Sequence, residues 1–228
     1  IPLGNDEQDN SPENADDGID AENIVVQRHR TALTRYNLSA PMQLLERFGF
    51  LNQEKTVFDY GCGKGDDVRN LKANAITANG WDPHFAPLEE KIESDIVNLG
   101  FVINVIENIN ERRQALSNAY QLATELLVVS AMIYNQNSFK GRQFEDGVLT
   151  SRHTFQKYFT QSELKEFIDH TLSADAIAVG VGIFFVFKDA DAEQKFQSGR
   201  QRSRSKLIRL VERQKTIKPP SKREERYQ

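Results

Sequence analysis

A chain of 228 residues, 39% apolar and 27% charged, is long enough for one full α/β domain with a sizeable core. No apolar run approaches the ~20 residues that span a bilayer, and the acidic start has no signal-peptide pattern. The lone Cys62 excludes an intramolecular disulfide framework and a cysteine-based zinc site, and it fits a reducing, cytoplasmic setting.

The net charge of −4 hides opposite ends. The first 27 residues contain no Lys or Arg, and the last 35 are rich in both. Residues 1–22 lack an apolar period and are expected to form a disordered acidic arm. Ordered structure is expected from about Asn23. The segment Arg28-His29-Arg30-Thr31-Ala32-Leu33-Thr34-Arg35-Tyr36 then mixes cations with a histidine and a tyrosine. Next, Ser39 can cap a helix whose first turn tolerates Pro41. Leu44, Leu45 and Phe48 give that helix one apolar face, and Gly49 ends it. A strand is expected over 55–58.

That strand opens into Asp59-Tyr60-Gly61-Cys62-Gly63-Lys64-Gly65-Asp66-Asp67, three glycines at alternate positions followed by a helical pattern over 66–73. Glycine permits positive φ and lets a ligand lie against the main chain, and free N–H groups at a helix start attract it. The spacing is D-x-G-x-G-x-G rather than the G-x-G-x-x-G of dinucleotide sites, since Asp66 stands where the third glycine should be. Asp59 would repel a pyrophosphate but could hold an ammonium group. A ligand with a cationic amino-acid end and a nucleoside end fits better than NAD, and S-adenosylmethionine is one. The stretch resembles motif I of the class I S-adenosylmethionine-dependent methyltransferases. Cys62, between two of the glycines, reads as a small filler rather than a nucleophile.

A short strand follows at 76–80, ending in Gly80-Trp81-Asp82-Pro83-His84-Phe85. An acid at this tip, ~20 residues past a glycine loop, is where ribose hydroxyls are held, and Asp82 fills the position; it also suits a simple turn before Pro83. Only a dozen residues separate Asp82 from Asp95, where the next strand, 95–99, begins. A helix and a strand cannot both fit between them. The third strand of a methyltransferase sheet is therefore expected to be missing or vestigial, its wall rebuilt by Trp81, Phe85 or the 83–87 loop.

Residues 110–124 read as a helix with Leu116, Ala119, Tyr120 and Ala123 on one face and Arg112 and Arg113 largely on the other. The apolar run 125–133 suits a parallel strand covered on both sides. A long connection, 134–159, carries Lys140, Arg142, Arg152, His153, Lys157 and Tyr158 among its cations and aromatics. Thr160-Gln161-Ser162-Glu163 is a capping box that starts a helix to about 171, and two strands around Val181-Gly182 read as a closing hairpin. A basic, partly helical tail is expected over 190–228, beyond a main domain of 23–189.

The fold class is thus α/β, a Rossmann-like class I methyltransferase sheet with a C-terminal antiparallel hairpin. More closely, the chain resembles the bacterial DNA phosphorothioation-associated methyltransferases. That resemblance rests on His29-Arg30-Thr31-Ala32, Asn37-Leu38-Ser39-Ala40-Pro41, the glycine loop, Gly80-Trp81-Asp82-Pro83-His84, the stretch from Asp95 to Glu107, and Thr154-Phe155-Gln156-Lys157-Tyr158-Phe159-Thr160. It implies S-adenosyl-L-methionine as cofactor, with its methionine end on the backbone amides of Gly61, Gly63 and Gly65, its amino group near Asp59 and its ribose on Asp82. It also implies that Asn98, Gly100 and Phe101 lie where methyl and acceptor meet. Asn98-Leu99-Gly100-Phe101 keeps the asparagine and the aromatic of the amino-methylating DNA enzymes but lacks their prolines. His29, His84 and His153 are candidate bases, His153 the first choice. Arg30, Arg35, Lys140, Arg142, Arg152, Lys157 and Tyr158 are candidate contacts for a nucleic-acid acceptor, DNA favoured. A small-molecule or protein methyltransferase stays open. So does a catalytically silent cofactor-binding module that docks to a protein partner through the basic tail. No metal site and no membrane contact are expected.

Overall fold

A computed structural model describes residues 25–135 and 141–202. Its centre is a six-stranded sheet. The strands, in chain order, are β1 (Thr56–Tyr60), β2 (Thr77–Trp81), β3 (Ser94–Gly100), β4 (Ala123–Ser130), β8 (Ile177–Gly180) and β9 (Ile183–Phe187). Their spatial order is β2-β1-β3-β4-β9-β8, with the first four parallel and β9 antiparallel to both neighbours. No described strand lies outside β2, so the third strand is missing, as its short connection predicts. From the 82–93 connection, the Lys91 ammonium sits 3.7 Å from the centroid of the Trp81 ring.

Alternation along the strands divides the core in two. On one face Val57, Ile96, Leu126, Val128 and Phe185 meet Met42 and Leu45 of α1 (Ala40–Arg47) and Leu71 of α2 (Asp66–Ala73). On the other, Phe58, Val97, Leu99, Leu127 and Val129 meet Leu116 and Ala119 of α3 (Ile109–Leu122) and Leu164 and Ile168 of α4 (Gln161–Leu172). α4 starts on the expected capping box: Glu163 N donates to Thr160 Oγ1, and Thr160 N donates to Glu163 Oε2. Ser39 stands at the N-cap of α1, but its hydroxyl makes no capping bond.

Arg112 does not face solvent: it is 1% exposed, on the same face as Leu116 and Ala119, four and seven residues on. Its guanidinium donates to both oxygens of Asp146, at 2.7 and 2.9 Å, and to the Ile106 carbonyl. A charged residue at an inward spacing reads as outward by its type, and its partner sits 34 residues away in a connection. That connection, 134–159, is not a plain loop either. It contains a three-stranded antiparallel sheet of β5 (Arg142–Phe144), β6 (Gly147–Leu149) and β7 (Phe155–Gln156), with Asp146 in the β5–β6 turn.

Past β9, residues 190–202 are helical. Phe196 from this helix packs among Phe48, Phe50, Phe185 and Phe187, with centroids 5.2–5.7 Å away. The described start of the basic tail is therefore docked on the sheet domain. Its amphipathic turn at 207–211 lies outside the described residues, as does the acidic arm.

Candidate functional site

β1 is driven inward by Val57 and Phe58, both buried, and ends at Tyr60 where the glycine loop begins. Gly61 has φ +82°, and a Cβ on it would collide with Val102 Cγ2 just beyond β3. The loop therefore packs its bare backbone against the loop after β3, and only glycine allows both the dihedral and the approach. Its amides, however, are already engaged. Gly61 N and Cys62 N donate to the Trp81 carbonyl, Gly63 N to Asp82 Oδ2, and Gly65 N to the Cys62 carbonyl. The expected delivery of the three glycine amides to a ligand is not what this backbone does; the loop uses them to hold its own turn and the tip of β2. Burial, followed by the charge of Asp59, pushes the Cys62 thiol up to about 12, which leaves it protonated and inert.

The polar floor lies at the C-terminal ends of β1 and β3. Asp59 and Asn98 are register partners there, 5% and 2% exposed. Asn98 Nδ2 donates to Asp59 Oδ1 at 2.8 Å. Burial, then the nearby Asp67, pushes the Asp59 carboxyl up to about 7, against the pull of Asn98 and Arg35. Asp67, also buried, accepts from Ser39 N at 2.7 Å. Asn98 Oδ1 and Ser39 Oγ are buried without a partner. Acceptors thus outnumber donors at this floor, an arrangement that suits a ligand bringing N–H groups and positive charge.

Asp82 has a double part. Oδ1 accepts from His84 N and Phe85 N, both at 2.9 Å, and Oδ2 accepts from Gly63 N at 3.0 Å. It forms the turn, as its place before Pro83 suggests, and locks that turn to the glycine loop. A carboxylate has about four acceptor positions, so one remains for a hydroxyl of a ligand.

These groups line one cavity of about 730 Å³, within the range of small-ligand sites. A strap, residues 25–35, forms one wall. Arg28 ties it to the start of α3, with Nε and Nη2 on Glu107 at 2.9 and 2.8 Å and Nη2 on Glu111 at 2.7 Å. Gln27 N donates to the His153 carbonyl, Lys64 Nζ to Thr34 Oγ1, and Arg35 N to Asp66 Oδ2. His29 of the strap stacks on His84 of the β2 turn, with centroids 4.1 Å apart.

Of the residues singled out from sequence, Asp59, Gly61, Gly63, Asp82, Asn98, Phe101, His29, His84 and Arg35 line this cavity. Gly65, at φ +74°, is the turn residue before α2. Phe101 also has positive φ, +59°, with its amide on the Ser130 carbonyl. Among the described residues, Arg142, Arg152, His153, Lys157 and Tyr158 lie outside the cavity, on or beside the separate β5-β6-β7 sheet, and Arg30 of the strap lies outside it too. His153 is exposed at φ +58° and contributes only main chain to the strap. Arg142 is exposed on β5, and Tyr158 is half-buried after β7. Lys157 is ion-paired with Glu163 at 2.7 Å. Arg30, in the strap, donates from Nη1 to the Arg152 main-chain carbonyl at 3.3 Å. Lys140 lies outside the described residues. Sequence reasoning missed the inward roles of Asp67 and Ser39; the Asp66-Asp67 doublet behind the glycines was their one visible sign. Among the described residues no group of three His, Cys, Asp or Glu is placed to hold a metal ion, and no helix is long and apolar enough to cross a membrane.

No family model matches the chain, and no curated protein matches it. Solved structures do. The chain is similar to a SAM-bound amino pentose methyltransferase from Micromonospora echinaspora involved in calicheamicin biosynthesis. The identity is 13% over 65% of this chain and 90% of that one, with a TM-score of 0.42. It is similar to magnesium protoporphyrin IX methyltransferase from Synechocystis PCC 6803 with bound SAH, at 12% identity over 71% and 93% of the two chains, TM-score 0.46. A third is the 1,6-didemethyltoxoflavin-N1-methyltransferase of Burkholderia thailandensis, at 14% identity over 71% and 78%, TM-score 0.45.

Proposed function

We propose that this chain is an S-adenosylmethionine-dependent methyltransferase. One observation carries the reading: the buried Asp59–Asn98 pair, with an unsatisfied Asn98 Oδ1, faces the same cavity as Asp82 and the glycine loop. Such a site suits a ligand with an ammonium at one end and sugar hydroxyls at the other. Asp59 and Asn98 would hold the amino group, and Asp82 the ribose. The cofactor, when bound, supplies a methyl group on a sulfonium for in-line transfer.

Within the chain, alignment is the main task. The strap walls the cavity, and Phe101 and Val102 fix the side nearest the end of β3. An acceptor that must lose a proton as its new bond to carbon forms needs a base. His29 and His84 are the imidazoles that line the cavity among the described residues, and the unprotonated nitrogen of either ring can take that proton. His153 is displaced from the role by its exposed position.

For the acceptor, we favour a nucleic acid, DNA first, supported by the exposed Arg30 of the strap and the exposed Arg152 whose main-chain carbonyl it holds, two cations outside the cavity that suit phosphate. A small-molecule acceptor is the second reading. It is favoured by the clasped strap and by the number of cations that fall outside the cavity. Both readings share one test. Calorimetry with S-adenosylmethionine and NAD should give heat with the former alone. Labelled methyl transfer to DNA, RNA and a small-molecule extract then identifies the acceptor. Preference for NAD overturns the cofactor assignment. Binding without any labelling points to a silent module, whose partner contact would be lost on trimming the basic tail.

A further inference from the structure

We propose that Arg112 is a positioning residue: it ties the β5-β6-β7 sheet to the loop after β3 and so sets one wall of the cavity. Residues 101–108 of that loop lie outside any helix or strand. Phe101, Val102, Val105, Ile106 and Glu107 line the cavity from it. Arg112 is 1% exposed and does not itself line the cavity. Its Nε and Nη2 donate to the Ile106 carbonyl at 3.1 and 2.8 Å, and Nη2 reaches the Glu107 carbonyl at 3.5 Å. Nη1 and Nη2 also donate to the Asp146 carboxylate. One planar cation thus joins the β5–β6 turn to two residues of the cavity wall. The second of them, Glu107, holds Arg28 through its carboxylate, so the same joint lies beneath a fastener of the strap.

Packing alone does not account for an arginine here. Apolar side chains of similar volume often match or exceed a buried ion pair in stability. Phe155 and Phe159, with ring centroids 5.8 Å from Arg112 Cζ, would pack against a methionine too. An apolar residue cannot supply donors to the Ile106 carbonyl of an irregular loop. The small sheet adds parallel holds. Lys157 N, just past β7, donates to the Asn104 carbonyl at 2.7 Å, and the His153 and Arg152 carbonyls accept from Gln27 N and Arg30 Nη1 of the strap. The β5-β6-β7 sheet therefore grips both the loop and the strap, and Arg112 is a side chain through which it grips the loop. The inference rests on the cofactor reading above only for what the cavity holds.

The test combines amide exchange with S-adenosylhomocysteine titration, on the full chain as wild type, Asp146→Asn and Arg112→Ala. Asp146→Asn alters a turn side chain that is 39% exposed and leaves the core residues in place. It should speed exchange over 101–108, leave β1 and α2 at the wild-type rate, and weaken S-adenosylhomocysteine roughly fivefold. Arg112→Ala should do both more strongly. Guanidinium chloride, kept well below denaturing concentrations, should then restore its affinity for S-adenosylhomocysteine and leave that of wild type unchanged. A side chain that served packing alone would show no such rescue. Wild-type exchange over 101–108 in Asp146→Asn overturns the role, and that variant decides the matter if Arg112→Ala does not fold. Loss of affinity in Arg112→Ala that guanidinium fails to restore also overturns it. If wild type binds no S-adenosylhomocysteine, the cofactor reading falls, and the exchange comparison still decides the role of Arg112.

Discussion

Asn98 Nδ2 donates to Asp59 Oδ1 across the β1–β3 pair, at positions that face each other in register. Both side chains are nearly buried, so each sets the state of the other. The asparagine amide spends its donor on Asp59 and leaves its own carbonyl bare. Any ligand that binds here must supply hydrogen-bond donors to both.

The first prediction concerns pH. Asp59 titrates near 7 in the folded chain and near 3.9 when unfolded. Its neighbours are Asp67 from α2, Asn98 from β3, Arg35 from the strap and Asp82 from the β2 turn. Between about pH 4 and 7 the folded state holds a proton that the unfolded state has lost. The contribution is therefore fully present below about 4 and is lost as pH rises through 7, by at most about 1.4 kcal/mol per pH unit. Urea melts of wild type and Asp59→Asn between pH 5 and 8 isolate it. The wild type should lose stability with rising pH relative to the variant, and parallel curves would refute the assignment.

Gly61→Ala and Gly49→Ala form a second pair. Both glycines have positive φ, but a Cβ at Gly49 meets nothing within 4 Å, whereas at Gly61 it enters Val102. Gly49→Ala should cost about 1 kcal/mol, the left-handed penalty alone. Gly61→Ala should add about 1–3 kcal/mol of overpacking and weaken ligand binding by displacing the loop after β3. Thermal melts with and without S-adenosylhomocysteine separate the two effects.

For the buried Arg112, removing its partner should hurt more than removing Arg112 itself. Asp146→Ala leaves an uncompensated charge under α3, at a cost of about 3 kcal/mol, the low end of the range because Asp146 is 39% exposed. Arg112→Met removes both the charge and its desolvation and should cost clearly less. Denaturant midpoints measure the order, and the reverse order would show that the guanidinium's bonds to the Ile106 carbonyl dominate.

The strap yields the fourth. Arg28→Gln releases ties to Glu107 and Glu111 that are part-exposed, so global stability should fall by about 1 kcal/mol or less. Amide exchange over 25–35 should nevertheless speed up, and bound S-adenosylhomocysteine should leave faster. Exchange mass spectrometry reads the first and stopped flow the second.

Much of this architecture was legible. Val57-Phe58 running into alternate glycines marks β1, its turn and α2, because a buried strand and three backbone-only positions have few other uses. The missing third strand was legible as a length: a dozen residues after Asp82 cannot hold a helix and a strand. What sequence could not show depended on partners distant in the chain. Arg112 reads as a surface charge until Asp146 is seen beside it. The glycine amides read as free until the Trp81 carbonyl and Asp82 are seen to accept them. Asp67 reads as a helix-start acid, and only the fold sets it against Ser39 and Asp59. His153 lies away from the cavity for a related reason: β6 and β7 pair around it and hold it on an exposed turn.

The strap has one more consequence, for the order in which the protein is made. Its residues are among the earliest synthesised of those described, yet its fasteners are 79 and 83 positions downstream at Glu107 and Glu111, and further still at the His153 carbonyl. A nascent chain still on the ribosome can build the glycine turn and the Asp59 strand while its leading segment hangs loose. Cofactor retention should therefore switch on late in translation, once α3 and the β6–β7 turn have emerged to catch a stretch of polypeptide made long before.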